Sequence, residues 1–277
     1  MDARRAALLE AMDLHRFVLR GGPNDRGVRH PEVQTVASET PTVVSAQETP
    51  AMPRTTGAAP SDGARASRAV PTPRAEPTAT VMAEPPPNRT GLDWLALREA
   101  VATCRRCGLG ETRTQSVFGV GVETARWMVV GEAPGADEDR QGEPFVGRAG
   151  QLLNAMLASV GQPREAVYIA NVLKCRPPAN RPPQAAEVIQ CLPNLHRQIE
   201  LVNPDLILCF GRVAAQALLG LEVPLTQLRS RVHYLPGTQR PVVVTYHPAY
   251  LLRSPAEKRK AWADLKFAVE VAHGRGA

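Results

Sequence analysis

Val129-Val130-Gly131-Glu132-Ala133-Pro134-Gly135-Ala136-Asp137-Glu138-Asp139, continued by Pro144-Phe145-Val146-Gly147-Arg148-Ala149-Gly150, is the stretch on which the fold turns. The apolar run Trp127–Val130 reads as a buried strand. It breaks into a Gly/Pro loop whose first part carries four acids, then a lone Phe, then an amphipathic helical pattern. Strand, acidic loop, aromatic and helix in that order describe a pocket at the carboxyl end of a parallel sheet. Glu132 is the first charged side chain beyond the strand, where a catalytic carboxylate would stand.

Working outward, three more apolar runs read as strands: Val167–Val172, Leu206–Phe210 and Val242–Tyr246. Between and around them lie helical patterns at Leu92–Thr103, Gly150–Val160, Ala185–Val202, Arg212–Leu219 and Pro255–Ala272. The alternation predicts an α/β fold, a three-layer α/β/α arrangement around a central, mostly parallel four-stranded sheet. Asn171 and His247 stand at two of the other strand ends, so Glu132, Asn171 and His247 are expected to converge on one sheet edge.

The chain has 277 residues, a net charge of +6 and an isoelectric point near 9.4, a balance that fits a nucleic-acid partner. No apolar run reaches membrane-spanning length and no secretory signal opens the sequence, so a cytoplasmic protein without a membrane contact is expected. From Pro31 to Thr90 there is no Leu, Ile, Phe, Tyr, Trp or Cys, and Pro, Ala, Thr and Ser abound. Such a segment buries too little apolar surface to offset its ordering entropy. The expected organisation is a short amphipathic peptide over 1–22, a disordered linker over 23–90 and a folded domain over 91–277.

Five cysteines in a reducing compartment point to metal ligation or core packing rather than disulfides. Cys104 and Cys107 form a CxxC turn around two arginines; Cys175 follows the second strand and Cys191 lies in the next helix. Four thiolates of this kind accept either tetrahedral zinc or an iron–sulfur cluster, and spacing does not choose. Four thiolates would leave zinc no open position for a catalytic water, which argues against a zinc hydrolase. Cys209, inside Leu206–Phe210, reads as an inert strand residue.

The ordered motifs GEAPGADED, PFVGRAGQLLN, NVLKCRPPANRPP and HPAYLLR, together with the four cysteines, closely resemble the family 4 uracil-DNA glycosylases from about Leu92 onward. The resemblance implies the α/β/α fold of those enzymes and a [4Fe-4S] cluster held by Cys104, Cys107, Cys175 and Cys191, ordering the DNA-facing loops. It implies a monofunctional hydrolase acting on uracil-containing DNA, single- or double-stranded, in base excision repair, and working as a monomer. Glu132 would position the attacking water, Phe145 would stack on the extruded base, Asn171 would read its edge and His247 would stabilise the leaving anion. Ala133 and Gly135 occupy positions where the family 1 enzymes carry an Asp and a thymine-excluding Tyr. The thymine gate is therefore expected elsewhere, with Glu138 a candidate. The HPAYLLR segment is expected to form a loop whose Leu251 or Leu252 wedges into the gap left by the base, with Arg253 and Arg176 on phosphates. Lys174, Arg181, Lys258, Arg259 and Lys260 are further phosphate candidates. Related enzymes that trap DNA covalently carry a basic, His-containing insertion after the Asn strand; only Arg176–Pro183 stands here, so turnover is expected. A non-catalytic DNA-binding protein on the same fold is the alternative, and the presence of all four pocket residues argues against it. Arg4-Arg5, Leu8-Leu9, Met12, Leu14, Phe17 and Leu19-Arg20 resemble the N-terminal peptide of the psi subunit of the bacterial clamp loader, implying a clamp-loader contact through residues 1–22.

Overall fold

The computed structural model describes residues 85–274. The N-terminal peptide and residues 23–84 of the expected linker lie outside the described residues. Residues 85–90, assigned above to the linker, run along the domain: the Arg89 guanidinium donates to Asn194 Oδ1 at 2.8 Å.

Six strands form one mixed sheet: β1 (Val120–Gly121), β2 (Trp127–Gly131), β3 (Tyr168–Asn171), β4 (Leu206–Phe210), β5 (His233–Tyr234) and β6 (Pro241–Thr245), in the order β1-β3-β2-β4-β6-β5. The four expected strands make the parallel centre, β3-β2-β4-β6. The expected count of four is corrected by β1 and β5, which pair antiparallel on the two edges. Each is two residues long, too short to imprint a period on the sequence.

The helices are α1 (Trp94–Ala102), α2 (Leu109–Thr112), α3 (Ala136–Gln141), α4 (Arg148–Ser159), α5 (Ala185–Val202), α6 (Arg212–Leu219), α7 (Leu225–Leu228), α8 (Pro248–Arg253) and α9 (Lys258–Ala272). Every residue of β2, β3 and β4 is buried, as a strand covered on both faces requires. Alternation then splits each strand between two cores. Met128, Val130, Ile207, Cys209, Val242 and Val244 pack with Leu195 and Ile199 of α5 and Ala214 and Leu218 of α6. Trp127, Val129, Leu206, Leu208, Phe210 and Val243 pack with Leu153 and Met156 of α4 and Leu265 of α9. This is the expected three-layer sandwich. Cys209 is wholly buried in the first core, with its thiol pushed well up by burial. Among the described residues no helix is long and apolar enough to cross a membrane.

Two elements differ from expectation. The acidic loop is largely helix α3: Asp137, Glu138 and Asp139 fill its first turn, where carboxylates complement the helix dipole. The HPAYLLR segment is likewise helical, with His247 as the N-cap of α8 and Pro248 at its first position.

Candidate active site

The carboxyl ends of β2, β3 and β6 open into one cleft of about 440 Å³, bordered by Glu132, Ala133, Gly135, Glu138, Phe145, Asn171, His247, Tyr250 and Arg253 among others. The expected convergence of Glu132, Asn171 and His247 is therefore observed. Gly131, the last residue of β2, makes the floor possible. A Cβ there would lie 2.3 Å from Asn171 Oδ1 and 2.6 Å from the Phe145 ring.

Asn171 is 2% exposed, and among the described residues its buried Oδ1 has no hydrogen-bond partner. An orphaned acceptor costs about 1–3 kcal/mol, a cost that a ligand donor would remove. The Asn171 main-chain carbonyl accepts from Lys174 Nζ at 2.8 Å, and Gln198 Oε1 accepts from the same ammonium at 2.6 Å. Lys174 is thus an internal strut, 1% exposed, and not the phosphate contact expected from its sequence neighbours.

His247 is held by its cap position. Its Nδ1 accepts from the Ala249 N–H at 3.2 Å, which leaves the ring proton on Nε2. Burial pushes its pKa down to about 4, with Arg253 adding to the shift and Glu138 opposing it. The ring is therefore a neutral N–H donor at physiological pH. Behind it, Asp264 accepts from Thr245 Oγ1 at 2.8 Å and from both arms of Arg229, tying α9 to the end of β6.

Phe145 has a left-handed backbone (φ 56°), a conformation a bulky residue adopts only at a cost of about 1–3 kcal/mol. Its ring lies 5.6 Å from the His247 ring, with 30° between the planes. Its carbonyl packs so close to Gly150 that a Cβ there would come within 1.8 Å. Arg164, which no sequence motif marks, donates to Phe145 O at 3.2 Å and to Pro144 O at 2.8 Å.

Glu132 is half-buried, and burial raises its carboxyl above the usual carboxylate range, with Arg212 opposing the shift. The other acids of the stretch are committed elsewhere. Glu138 accepts from the N–H groups of Gly135 (3.0 Å), Val146 (3.0 Å) and Gly147 (3.2 Å), stitching the Glu132 segment to the Phe145 segment. Asp139 accepts from Thr114 N, and Asp137 pairs with Arg140.

A family model for the uracil DNA glycosylase superfamily matches residues 118–266. Among curated proteins the chain is similar to the type-4 uracil-DNA glycosylase of Archaeoglobus fulgidus, 46% identical over 172 residues covering 60% of this chain and 86% of that protein. It is also similar to the enzymes of that name from Pyrobaculum aerophilum, 41% identical (63% and 92% covered), and Thermotoga maritima, 45% identical (56% and 81% covered). The chain belongs to the type-4 uracil-DNA glycosylases.

In this glycosylase Cys104, Cys107, Cys175 and Cys191 border a single pocket on the first-core side, with Lys174, Arg113 and Asn194. Arg113 donates to Cys175 Sγ at 3.0 Å, and the Lys174 N–H donates to Cys191 Sγ at 3.2 Å. Burial raises the thiols of Cys107 and Cys175 and pushes Cys191 up to about 12. Among the described residues no three Cys, His, Asp or Glu side chains are gathered as for a single metal ion.

The rim of the cleft in this glycosylase includes residues of α8 and of the 176–183 segment. The expected choice between two leucines is narrowed. Leu251 is wholly buried in the second core, whereas Leu252 is 37% exposed and Tyr250 39%. Adjacent helix positions diverge by about 100°, so one of such a pair faces inward. Arg253 is exposed beside the cleft. Arg176 donates to Asn180 Oδ1 at 2.8 Å, Arg181 forms a bidentate pair with Glu187, and Lys260 pairs with Glu257. Ala179 and Asn180, both left-handed, make this rim a tight turn.

Proposed function

We propose that the chain flips uracil out of DNA and hydrolyses its N-glycosidic bond, leaving an abasic site and opening base excision repair. The buried, unpartnered Oδ1 of Asn171 at the floor of the cleft carries this reading. Uracil N3–H would donate to that oxygen while the Asn171 amide donates to uracil O4; cytosine presents the opposite pattern. Phe145 gives the extruded base a stacking surface. When the bond to C1′ breaks, its electron pair leaves with uracil N1 and spreads onto O2. The His247 Nε2–H donates to O2 and stabilises that anion. The ionised Glu132 carboxylate faces the positive sugar, orients a water towards C1′ and takes its proton as the new C–O bond forms. Because His247 stays neutral down to about pH 4, the acid limb of kcat/KM reports Glu132. The limb is expected above the ordinary carboxylate range and should vanish in Glu132→Gln, with activity down about 10²–10⁴-fold. A limb that persists in that variant would assign it to another group.

Glu138, offered above as a thymine gate, is better suited to positioning, since its three N–H contacts engage both carboxylate oxygens. Leu252 is the wedge of this proposal, with Arg253 and Arg176 on phosphate. With no His-bearing insertion over 176–183, the enzyme is proposed to turn over without a covalent DNA adduct.

The four cysteines fit a [4Fe-4S] cluster. They line one pocket from three chain segments, and two N–H donors and a buried ammonium offset thiolate charge. When bound, such a cluster would cross-link Cys104 and Cys107 to Cys175 and Cys191, the residues that flank the 176–183 rim. Purified protein is expected to be brown and to contain iron with matching sulfide; zinc without iron would overturn the assignment. Residues 1–22 are proposed as a tethered clamp-loader contact. A peptide of residues 1–24 should capture the clamp loader, and no binding at tens of micromolar (about −6 kcal/mol) would contradict it.

A further inference from the structure

We propose that Arg164 is a positioning residue, clamping Phe145 in the backbone conformation that presents its ring to the flipped base. The inference rests on Phe145 being the stacking surface of the proposed reaction. Phe145 stands in a left-handed conformation that favours glycine, yet the position needs an aromatic ring. Something must hold it there. The guanidinium of Arg164 does so as a fork, with Nη2 on Pro144 O at 2.8 Å and Nη1 on Phe145 O at 3.2 Å. These are the two carbonyls flanking the strained φ of Phe145.

The fork is itself fixed. Asn154 Oδ1 on α4 accepts from Nη1 at 3.3 Å, and the Glu143 carboxylate lies 4.0 Å from Nη2. The Arg164 side chain is 20% exposed, so water competes little for its donors. Gly150 closes the opposite side, with room for no Cβ against the Phe145 carbonyl. Arg164 also begins the 3₁₀ turn Arg164–Ala166, which leads directly into β3 and Asn171. One eight-residue segment, 164–171, thus carries both the clamp on the stacking ring and the residue that reads the base edge. The distance between those two surfaces is set through Arg164.

The test uses the full-length holoenzyme and two ligands, free uracil as inhibitor and abasic-site DNA. Arg164→Ala is expected to weaken uracil inhibition at least about tenfold and to lower kcat/KM about 10²-fold, as a misplaced binding surface does. Affinity for abasic DNA, which offers Phe145 no base, should stay unchanged. Low-millimolar guanidinium should restore much of the lost activity. Arg164→Lys, which keeps the charge but has no fork, should fall between wild type and Arg164→Ala and serves if the alanine variant does not fold. Equal weakening of both ligands, no rescue by guanidinium, or unchanged uracil inhibition in either variant would overturn the proposal. Phe145→Ala, run in parallel, separates the two ideas. If it leaves uracil inhibition intact, the stacking role itself fails. If it weakens uracil and Arg164→Ala does not, only the clamp fails.

Discussion

Replacing His247 by alanine is expected to slow uracil excision by about 10²–10³-fold, the loss typical of one preorganised donor to a developing anion. The expectation follows from the ring's fixed tautomer. Nδ1 is engaged by the Ala249 N–H, so the mobile proton sits on Nε2. Burial keeps that proton count constant at neutral pH, so the donor is present in every enzyme molecule. Single-turnover excision is the measurement, because it isolates bond breakage from product release. A loss below tenfold would remove His247 from the chemistry. The same residue predicts a stability trend. The unfolded chain protonates His247 near pH 6.5, whereas the folded chain does so only near pH 4. Its contribution is therefore fully present above pH 6.5 and is lost as pH falls towards 4. The total is roughly 3 kcal/mol, each tenfold change in proton affinity being worth about 1.4 kcal/mol. Urea titrations of wild type and His247→Asn should diverge across that window and run parallel above it.

Asn171→Asp is expected to lower uracil excision by about 10³-fold or more, because a buried edge reader that loses its complementary donor rejects its ligand strongly. The substitution conserves shape and places an oxygen where the amide would face uracil O4. It also puts a carboxyl at a buried position. Asn171 is 2% exposed and, among the described residues, no donor reaches its Oδ1. Comparing kcat/KM on matched uracil and cytosine oligonucleotides measures it. Unchanged uracil excision would show that the base edge is read elsewhere.

Much of this architecture is visible in the residues. Leu206–Phe210 and Trp127–Val130 are continuous apolar runs because both faces of the sheet are covered, and they match the strands to within a residue. Ala185–Val202 and Arg212–Leu219 carry full helical periods and end at Asn203 and Gly220, both left-handed. What the sequence hid were features with no period. The edge strands β1 and β5 are two residues each. Three acids in a row, Asp137–Asp139, mask a helix, because the dipole term that favours them there leaves no apolar stripe. A leucine pair in HPAYLLR looks alike in one dimension and diverges once the helix turns Leu251 inward. Two of the supporting contacts are long-range in sequence. Arg164 reaches Phe145 from nineteen residues away, and Lys174 meets Gln198 from twenty-four. Such pairings depend on the fold and leave no local pattern. The pocket residues themselves were legible because strand ends are legible, and chemistry gathers where parallel strands end.

The most direct test of the account is excision itself. Purified protein is incubated with a single-uracil oligonucleotide in EDTA, and abasic sites are then cleaved with hot alkali. Strand cleavage is expected at the uracil, with none at thymine or cytosine in matched controls and no dependence on added metal. An intact oligonucleotide after prolonged incubation with excess folded, iron-containing protein would contradict it.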